Sequence, residues 1–262
     1  MPAYQSATVA LVGPDLPTGS SNADVHSGIT YVDNRVDQHM AEDNNAQDVI
    51  AEQRALRRLA MYPCQHIANI VSEAQAGGVL SYAIVEADLV PLAPPPLPLS
   101  TSRATVSAMC AALGHLHLLG VMHRDLKPEH VLVSPLGHDI KLADFSCVSL
   151  QPTSRSLTGT PEFTAPEVLL AHEYTAVVDW WSLGCFACEL LTGETPFARV
   201  DGSVELLLRK IIYDPIYLPT HPNIGALEHE FIMALLERDP NARLGTSGVN
   251  QVRAHAWLQQ PA

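Results

Sequence analysis

The 262-residue chain contains no lysine before Lys127. Basic side chains are scarce overall, since 15 Lys and Arg stand against 28 Asp and Glu, for a formal net charge of −13. Nucleic-acid binding needs a basic surface that displaces counterions from phosphates, so this deficit argues against a nucleic-acid partner. An anionic membrane surface would repel the chain for the same reason. We therefore expect neither nucleic acid nor membrane as a partner.

Long apolar runs are also missing. The hydrophobic fraction of 47% suits one core or two small lobes that share a cleft. No uninterrupted run approaches the ~18 apolar residues that cross a bilayer. The first residues, Met1 to Gln5, lack the basic stretch and apolar run of a secretory signal. These features predict an intracellular protein, and most simply a cytoplasmic one.

The five cysteines do not suggest a disulfide framework, because their number is odd and they are scattered through apolar segments. We expect reduced, buried thiols. Cys185 and Cys188 form a C-x-x-C pair inside an apolar helical pattern, without a second Cys or His pair nearby. A zinc site is therefore not indicated there.

Hydrophobic periodicity predicts strands before helices. Strands are expected at 8–13, 29–32 and 80–85, with one amphipathic helix at 46–61. Further helices are expected at 101–119, 176–191, 203–213 and 226–237. This order predicts an α+β, two-lobed architecture with a small β-rich lobe that carries one helix and a larger, mainly helical lobe.

Residues 90–98 contain five prolines, which cannot continue a helix or a central strand. We interpret the segment as a stiff, extended connector at the lobe boundary, and a site for a partner that reads polyproline is the alternative. The predicted division is a small lobe at 1–86, a hinge and connector at 87–100, and a helical lobe at 101–262.

Five motifs occur in a fixed order along the chain. They read HRDLKPEH at 123–130, DFS at 144–146, APE at 165–167, DWWSLG at 179–184 and RDPNARLG at 238–245. Together they resemble the catalytic loop, the metal-binding motif and the large-lobe framework of protein kinases. GTPEF at 159–163 and VDWWSLG at 178–184 are similar to the AGC group of Ser/Thr kinases. The resemblance covers roughly residues 48–258 and implies a two-lobed protein-kinase-like fold.

The resemblance implies phosphoryl transfer, with ATP and Mg²⁺ as cofactors and a protein as partner or substrate. Asp125 matches the aspartate that receives the proton of the substrate hydroxyl. Lys127 matches the lysine that Ser/Thr kinases direct at the γ-phosphate. A purely structural role for Asp125, as an anchor of the loop, stays open.

The implied metal site departs from the family pattern. Asp144 matches the aspartate that binds Mg²⁺, but His130 stands where the family has a second ligand, Asn. Mg²⁺ prefers oxygen ligands, whereas imidazole offers a softer nitrogen. We therefore expect impaired two-metal binding, one metal at Asp144, and better tolerance of Mn²⁺ than of Mg²⁺.

The small lobe departs further. Glu52 matches the helix glutamate that pairs with a small-lobe lysine, and the spacing puts Asp33 in the lysine's place. Strand side chains repeat with period two, so a two-residue slip would bring Arg35 there instead. The stretch 12–19 replaces the glycine-rich loop and includes two prolines, which lack N–H donors.

Other positions are carried over from the same resemblance. Val85 matches the gatekeeper, and Glu86 to Asp88 match the hinge. Three activation-segment or catalytic-loop residues are candidates for regulation: Ser156, Thr160 and Arg124. Ser156 lies where AGC kinases carry a phosphorylated Thr, and Arg124 would pair with that phosphate; an unmodified serine is the alternative.

Several residues match structural positions of the family. Glu167 and Arg243 match a buried ion pair, and Asp179 matches the residue that ties the catalytic-loop backbone. An apolar column between the lobes is expected to contain Leu56, His123 and Phe145.

Three functions are compatible with these matches. Because the lysine, the glycine-rich loop and the metal-binding Asn are lost together, the sequence favours a pseudokinase that acts as a scaffold or allosteric partner. The alternative is an active Ser/Thr protein kinase with atypical ATP anchoring, and a third class is an enzyme that uses ATP for another transfer. The sequence does not predict the oligomeric state.

Overall fold

The protein is described by a computed structural model over residues 30–32, 45–68, 70–76, 79–84, 89–135, 137, 139–198 and 203–260. Several predictions lie outside these residues: the strand at 8–13, the loop at 12–19, and the positions of Asp33, Arg35, Val85, Glu86 and Asp88.

The first part of the chain forms a small antiparallel sheet and one helix. Strand β1 spans Thr30–Val32, β2 spans Ile70–Ala76 and β3 spans Val79–Ile84, in the order β1-β3-β2. Helix α1 spans Asn45–Met61. Its apolar face buries Ala55, Leu56 and Leu59 in the main hydrophobic core, which fixes the helix against the rest of the protein.

A second three-stranded sheet leads into the catalytic region. Strand β4 spans Val90–Pro91, β5 spans Val131–Val133 and β6 spans Ile140–Leu142, with β5 in the middle. Pro91 is tolerated because β4 is an edge strand. In the proline-rich segment, the N–H of Leu97 donates a hydrogen bond to the carbonyl of Leu190 at 2.8 Å. The segment is therefore tied to the helical part.

The second half of the chain is helical. Helix α2 spans Leu99–Leu118, α3 Pro166–Leu169, α4 Val178–Thr192, α5 Val204–Ile212, α6 Ala226–Leu235 and α7 Val249–Arg253. Helix α4 is buried on nearly all sides, including both cysteines of the C-x-x-C pair. It forms the centre on which α2 and α6 pack.

The α+β class with a small sheet lobe and a helical lobe is confirmed. The predicted helices differ from the observed ones by one or two residues at most ends, since caps and local turns set the exact limits. Strands β2, β4, β5 and β6 were not predicted. The expectation of buried thiols is right for Cys110, Cys185 and Cys188, while Cys64 and Cys147 are half-buried. None of the helices in the described residues is long and apolar enough to cross a membrane.

Candidate active site

The catalytic loop is fixed to helix α4 through Asp179. This fully buried carboxylate accepts hydrogen bonds from the backbone N–H of His123 at 3.0 Å and of Arg124 at 2.7 Å. It also accepts one from His117 Nε2 at 2.7 Å. Burial opposes ionisation of Asp179, but these hydrogen bonds and the nearby imidazoles hold its pKa below the ordinary value. The anionic carboxylate therefore fixes the start of the loop.

Asp125, the candidate base, lies in a compact group with two other polar side chains. Its Oδ1 accepts hydrogen bonds from the N–H and the hydroxyl of Thr160, both at 2.8 Å. Lys127 Nζ lies 3.3 Å from Oδ2 of Asp125 and donates to the Thr160 hydroxyl at 2.8 Å. Burial raises the pKa of Asp125, but His130, Lys127 and Thr160 outweigh it, so the pKa stays below the ordinary value. The carboxylate is thus ionised at neutral pH.

His130 lies between the two aspartates of the site. Its Nδ1 is 2.8 Å from the backbone carbonyl of Asp125, so Nδ1 carries the proton and donates. Its Nε2 is 3.1 Å from Oδ2 of Asp144. The other oxygen of Asp144 accepts from the N–H of Ser146 at 3.0 Å and from its hydroxyl at 2.7 Å. Ser146, which replaces the family's glycine, therefore orients the candidate metal ligand.

The small-lobe side of the site is described only in part. Glu52 is buried on α1, at 5% exposure. Its predicted lysine substitute, Arg35, and the hinge residues lie outside the described residues, so their roles remain predictions. A small buried apolar cluster is formed by Ala68, Leu89, Leu132 and Ala143. One member of this cluster, Ala143, immediately precedes Asp144 in the sequence.

Arg124 contacts two hydroxyl groups in the structure, and its expected pairing with a phosphate on Ser156 stays a prediction. Its NH1 lies 3.4 Å from the hydroxyl of Ser154 and 3.2 Å from that of Tyr174. Contact with the side chain of Ser156 is not among its hydrogen bonds in the described residues. Ser156 is exposed on the activation segment. Thr160, another regulatory candidate, is instead in direct contact with Asp125.

A cluster of acidic side chains beside the site was missed from the sequence. Burial raises the pKa of Glu189 to about 7, and the carboxylates of Glu129 and Glu162 add to this rise. The Oε2 atom of Glu189 is buried and, within the described residues, has no hydrogen-bond partner. Glu129 belongs to the catalytic loop and Glu162 follows Thr160 by two residues. The sequence feature that could have indicated this cluster is Glu189, a glutamate within a mostly apolar stretch of α4.

The large lobe is braced by an ion pair. Arg243 is fully buried, and its NH1 and NH2 contact Glu167 at 2.6 and 3.0 Å in a two-pronged arrangement. Its guanidinium also lies 5.3 Å from the ring centre of Trp181. The paired geometry offsets the cost of burying both charges.

The residues of the expected apolar column lie in the core. His123 meets Phe145 edge-on, with ring centres 5.6 Å apart. Leu56 of α1 and Phe145 belong to one buried cluster. Burial lowers the pKa of His123, which keeps its imidazole neutral.

Comparison with known proteins defines the class. Residues 24–258 match the family model of the protein kinase domain. That match covers most of the chain, and it agrees with the two-lobed fold and with the catalytic-loop geometry. The chain therefore belongs to the protein kinase family.

The curated relatives are Ser/Thr kinases similar to the AGC group. The chain is 38% identical over 165 residues to the serine/threonine-protein kinase YPK2/YKR2 of Saccharomyces cerevisiae, which is 62% of this chain and 24% of the relative. It is 42% identical over 157 residues to the kinase gad8 of Schizosaccharomyces pombe, covering 58% of this chain and 27% of the relative. For Sgk2 of Rattus norvegicus the identity is 36% over 149 residues, which is 55% of this chain and 39% of the relative. The chain thus spans well under half the length of these relatives.

Proposed function

We propose that the protein is a Ser/Thr protein kinase that transfers the γ-phosphate of ATP to a hydroxyl of a protein substrate. The observation that carries this is the group formed by Asp125, Thr160 and Lys127. An ionised, oriented carboxylate is suited to accept the proton of an attacking hydroxyl. The lysine beside it supplies positive charge for the transferred phosphoryl group.

The metal would be held by Asp144 together with His130. The oxygen and nitrogen that they present, 3.1 Å apart, form a mixed donor pair. Such a pair suits Mn²⁺ better than Mg²⁺, which favours oxygen ligands alone. When bound, the metal neutralises charge on the ATP phosphates. Ser146 holds the Asp144 carboxylate in place for this task.

The acidic cluster of Glu129, Glu162 and Glu189 supports a substrate with basic residues. Oε2 of Glu189 is buried and has no hydrogen-bond partner among the described residues, and a guanidinium that donates hydrogen bonds to it would offset this desolvation cost. The raised pKa of Glu189 has the same origin, so the arrival of a positive side chain would lower it. We infer that the substrate presents arginine near the phosphorylated serine or threonine.

A scaffold without phosphotransfer is the second candidate. The observation that favours it is the contact of His130 with Asp144, because it occupies one carboxylate oxygen that a metal would use. The absence of lysine before Lys127 favours it as well. In that case the protein acts by binding another protein rather than by chemistry.

The two functions are separated by one assay. Radiolabelled ATP is incubated with the protein, with Mg²⁺ or Mn²⁺, and with a serine peptide rich in arginine or its Ser-to-Ala form. If the protein is a kinase, we expect label on the serine peptide and none on its Ser-to-Ala form. The amount of label should be larger with Mn²⁺ than with Mg²⁺. No label, together with no heat of ATP binding in calorimetry at millimolar ATP, would exclude the kinase and leave the scaffold.

A further inference from the structure

The hydroxyl of Tyr174 joins the catalytic loop to the activation segment. It donates a hydrogen bond to the backbone carbonyl of Ser156 at 2.7 Å and accepts one from Arg124 NH1 at 3.2 Å. Tyr174 is 3% exposed, so water does not compete freely for these bonds. Its backbone also pairs with Ser154 through two hydrogen bonds of 2.9 Å. The side chain of Tyr174 thus bridges the two segments.

Arg124 is satisfied by neutral acceptors in this arrangement. Its Nε donates to the carbonyl of Cys147 at 2.6 Å and its NH2 to that of Val148 at 3.0 Å. Its NH1 reaches the hydroxyls of Ser154 and Tyr174. These contacts use four of the five N–H donors that a guanidinium has. Within the part of the chain that the structure describes, the hydrogen bonds of the Arg124 side chain thus all go to neutral acceptors.

Ser156 is held through its backbone rather than through its side chain. Its N–H donates to the hydroxyl of Ser154 at 3.2 Å, while its carbonyl accepts from Tyr174. A phosphate orders a loop by gathering cationic side chains around it. Between Phe145 and Pro166 the sequence offers a single basic residue, Arg155. Arg155 is largely exposed and lies 4.0 Å from Glu173.

The same segment also contacts the catalytic loop further along. Gly159 has φ of +92°, and a Cβ there would lie 2.4 Å from the carbonyl oxygen of Arg124. The next residue, Thr160, bonds to Asp125 through its N–H. Residues 154–160 therefore dock on the catalytic loop at both ends, and the second contact touches the candidate base.

We propose that Tyr174 is a positioning residue that orders residues 154–160 on the catalytic loop without phosphorylation of Ser156. The effect on turnover rests on the proposed kinase function. The ordering of the segment does not, because it is measured without ATP. Phosphorylation at Ser156 is dispensable for this ordering.

Hydrogen exchange of the phosphate-free protein tests the proposal. The protein is treated with phosphatase, its mass is checked, and exchange is followed in peptides that cover 154–160. We expect protection in the wild type and in Ser156→Ala, and exchange about tenfold faster in Tyr174→Phe, since one buried bridge is lost. Tyr213→Phe, at a largely exposed tyrosine, is the matched control and leaves exchange unchanged.

Two results would overturn the proposal. One is an unprotected segment in phosphate-free wild type that becomes protected only when Ser156 is phosphorylated. The other is Tyr174→Phe with wild-type exchange. If Tyr174→Phe unfolds the whole protein, the comparison of phosphate-free with phosphorylated wild type still decides, because it needs no variant.

A kinetic measurement separates this proposal from the kinase proposal. Where phosphotransfer is detected, Tyr174→Phe is expected to lower kcat about tenfold with an unchanged KM for ATP, since it alters positioning and not nucleotide binding. Ser156→Ala keeps kcat within about twofold. An unchanged kcat in Tyr174→Phe together with a tenfold lower kcat in Ser156→Ala would contradict the proposal. Absence of transfer in every variant contradicts the kinase function, and hydrogen exchange then decides on Tyr174 alone.

Discussion

The Nε2 atom of His130 lies 3.1 Å from Oδ2 of Asp144, while its Nδ1 donates to the backbone of Asp125. The imidazole thus spans the space between the candidate base and the candidate metal ligand. Nε2 of His130 and Oδ2 of Asp144 are thus the nitrogen and oxygen donors that the proposed metal would share. A metal that accepts both nitrogen and oxygen suits this pair better than one that prefers oxygen alone.

His130→Asn is therefore expected to raise the Mg²⁺-supported rate of phosphotransfer about tenfold, because an amide oxygen replaces the softer nitrogen. The ratio of the Mn²⁺ rate to the Mg²⁺ rate should fall in the variant. Both rates are measured with the same peptide at saturating ATP. His229→Asn, at an exposed histidine, is the control. An unchanged metal ratio in His130→Asn would show that His130 does not set the metal preference.

Glu189 gives a pH-dependent prediction. Its pKa is raised to about 7, so the carboxyl gains its negative charge as the pH rises from 6 to 8. Attraction to arginine grows over the same range, and KM for an arginine-rich peptide is expected to fall about tenfold. In Glu189→Gln this dependence is lost, which steady-state kinetics at several pH values would reveal.

The control for Glu189 is Glu205→Gln, at an exposed glutamate on α5. A neutral peptide provides a second control, since its KM should not follow the ionisation of Glu189. If Glu189→Gln keeps the wild-type pH dependence with the basic peptide, the acidic cluster is not the substrate site.

The ion pair of Glu167 with Arg243 gives a stability prediction. Glu167→Ala leaves a fully buried guanidinium without its anion, which is expected to lower the free energy of unfolding by roughly 3–5 kcal/mol. The double variant Glu167→Leu, Arg243→Met removes both charges and should be more stable than the single variant. Urea denaturation followed by tryptophan fluorescence measures these differences.

Glu173→Ala is the matched control, because Glu173 forms an exposed pair with Arg155 at 4.0 Å. Loss of this exposed pair is expected to lower the free energy of unfolding by less than about 1 kcal/mol. Equal effects of the buried and the exposed substitutions would mean that the buried pair does not brace the lobe.

The kinase fold and much of the site could be predicted because the motifs are local. Asp125, Lys127 and Asp144 are identified by their neighbours in sequence, and helices such as α2 and α4 by long periodic apolar patterns. Strands β5 and β6 have three residues each, which is too short for a period-two pattern to stand out.

Contacts between residues that are far apart in the chain could not be predicted from the sequence. The hydroxyl of Tyr174, 50 residues away in the chain, lies 3.2 Å from NH1 of Arg124, and no sequence motif predicts this contact. The pKa of Glu189 depends likewise on Glu129 and Glu162, which come from two other segments. Such relationships depend on tertiary packing, which no local pattern records.

The most direct test of the central claim is phosphotransfer by Asp125→Asn. The substitution keeps the shape of the side chain and an oxygen for Thr160, but removes the charge that accepts the proton. We predict at least a hundredfold loss of label transfer to the arginine-rich serine peptide, whereas Asp139→Asn, at an exposed aspartate, keeps the wild-type rate. A wild-type rate in Asp125→Asn, or no transfer by the wild type with either metal, would contradict the assignment of this site as a kinase active site.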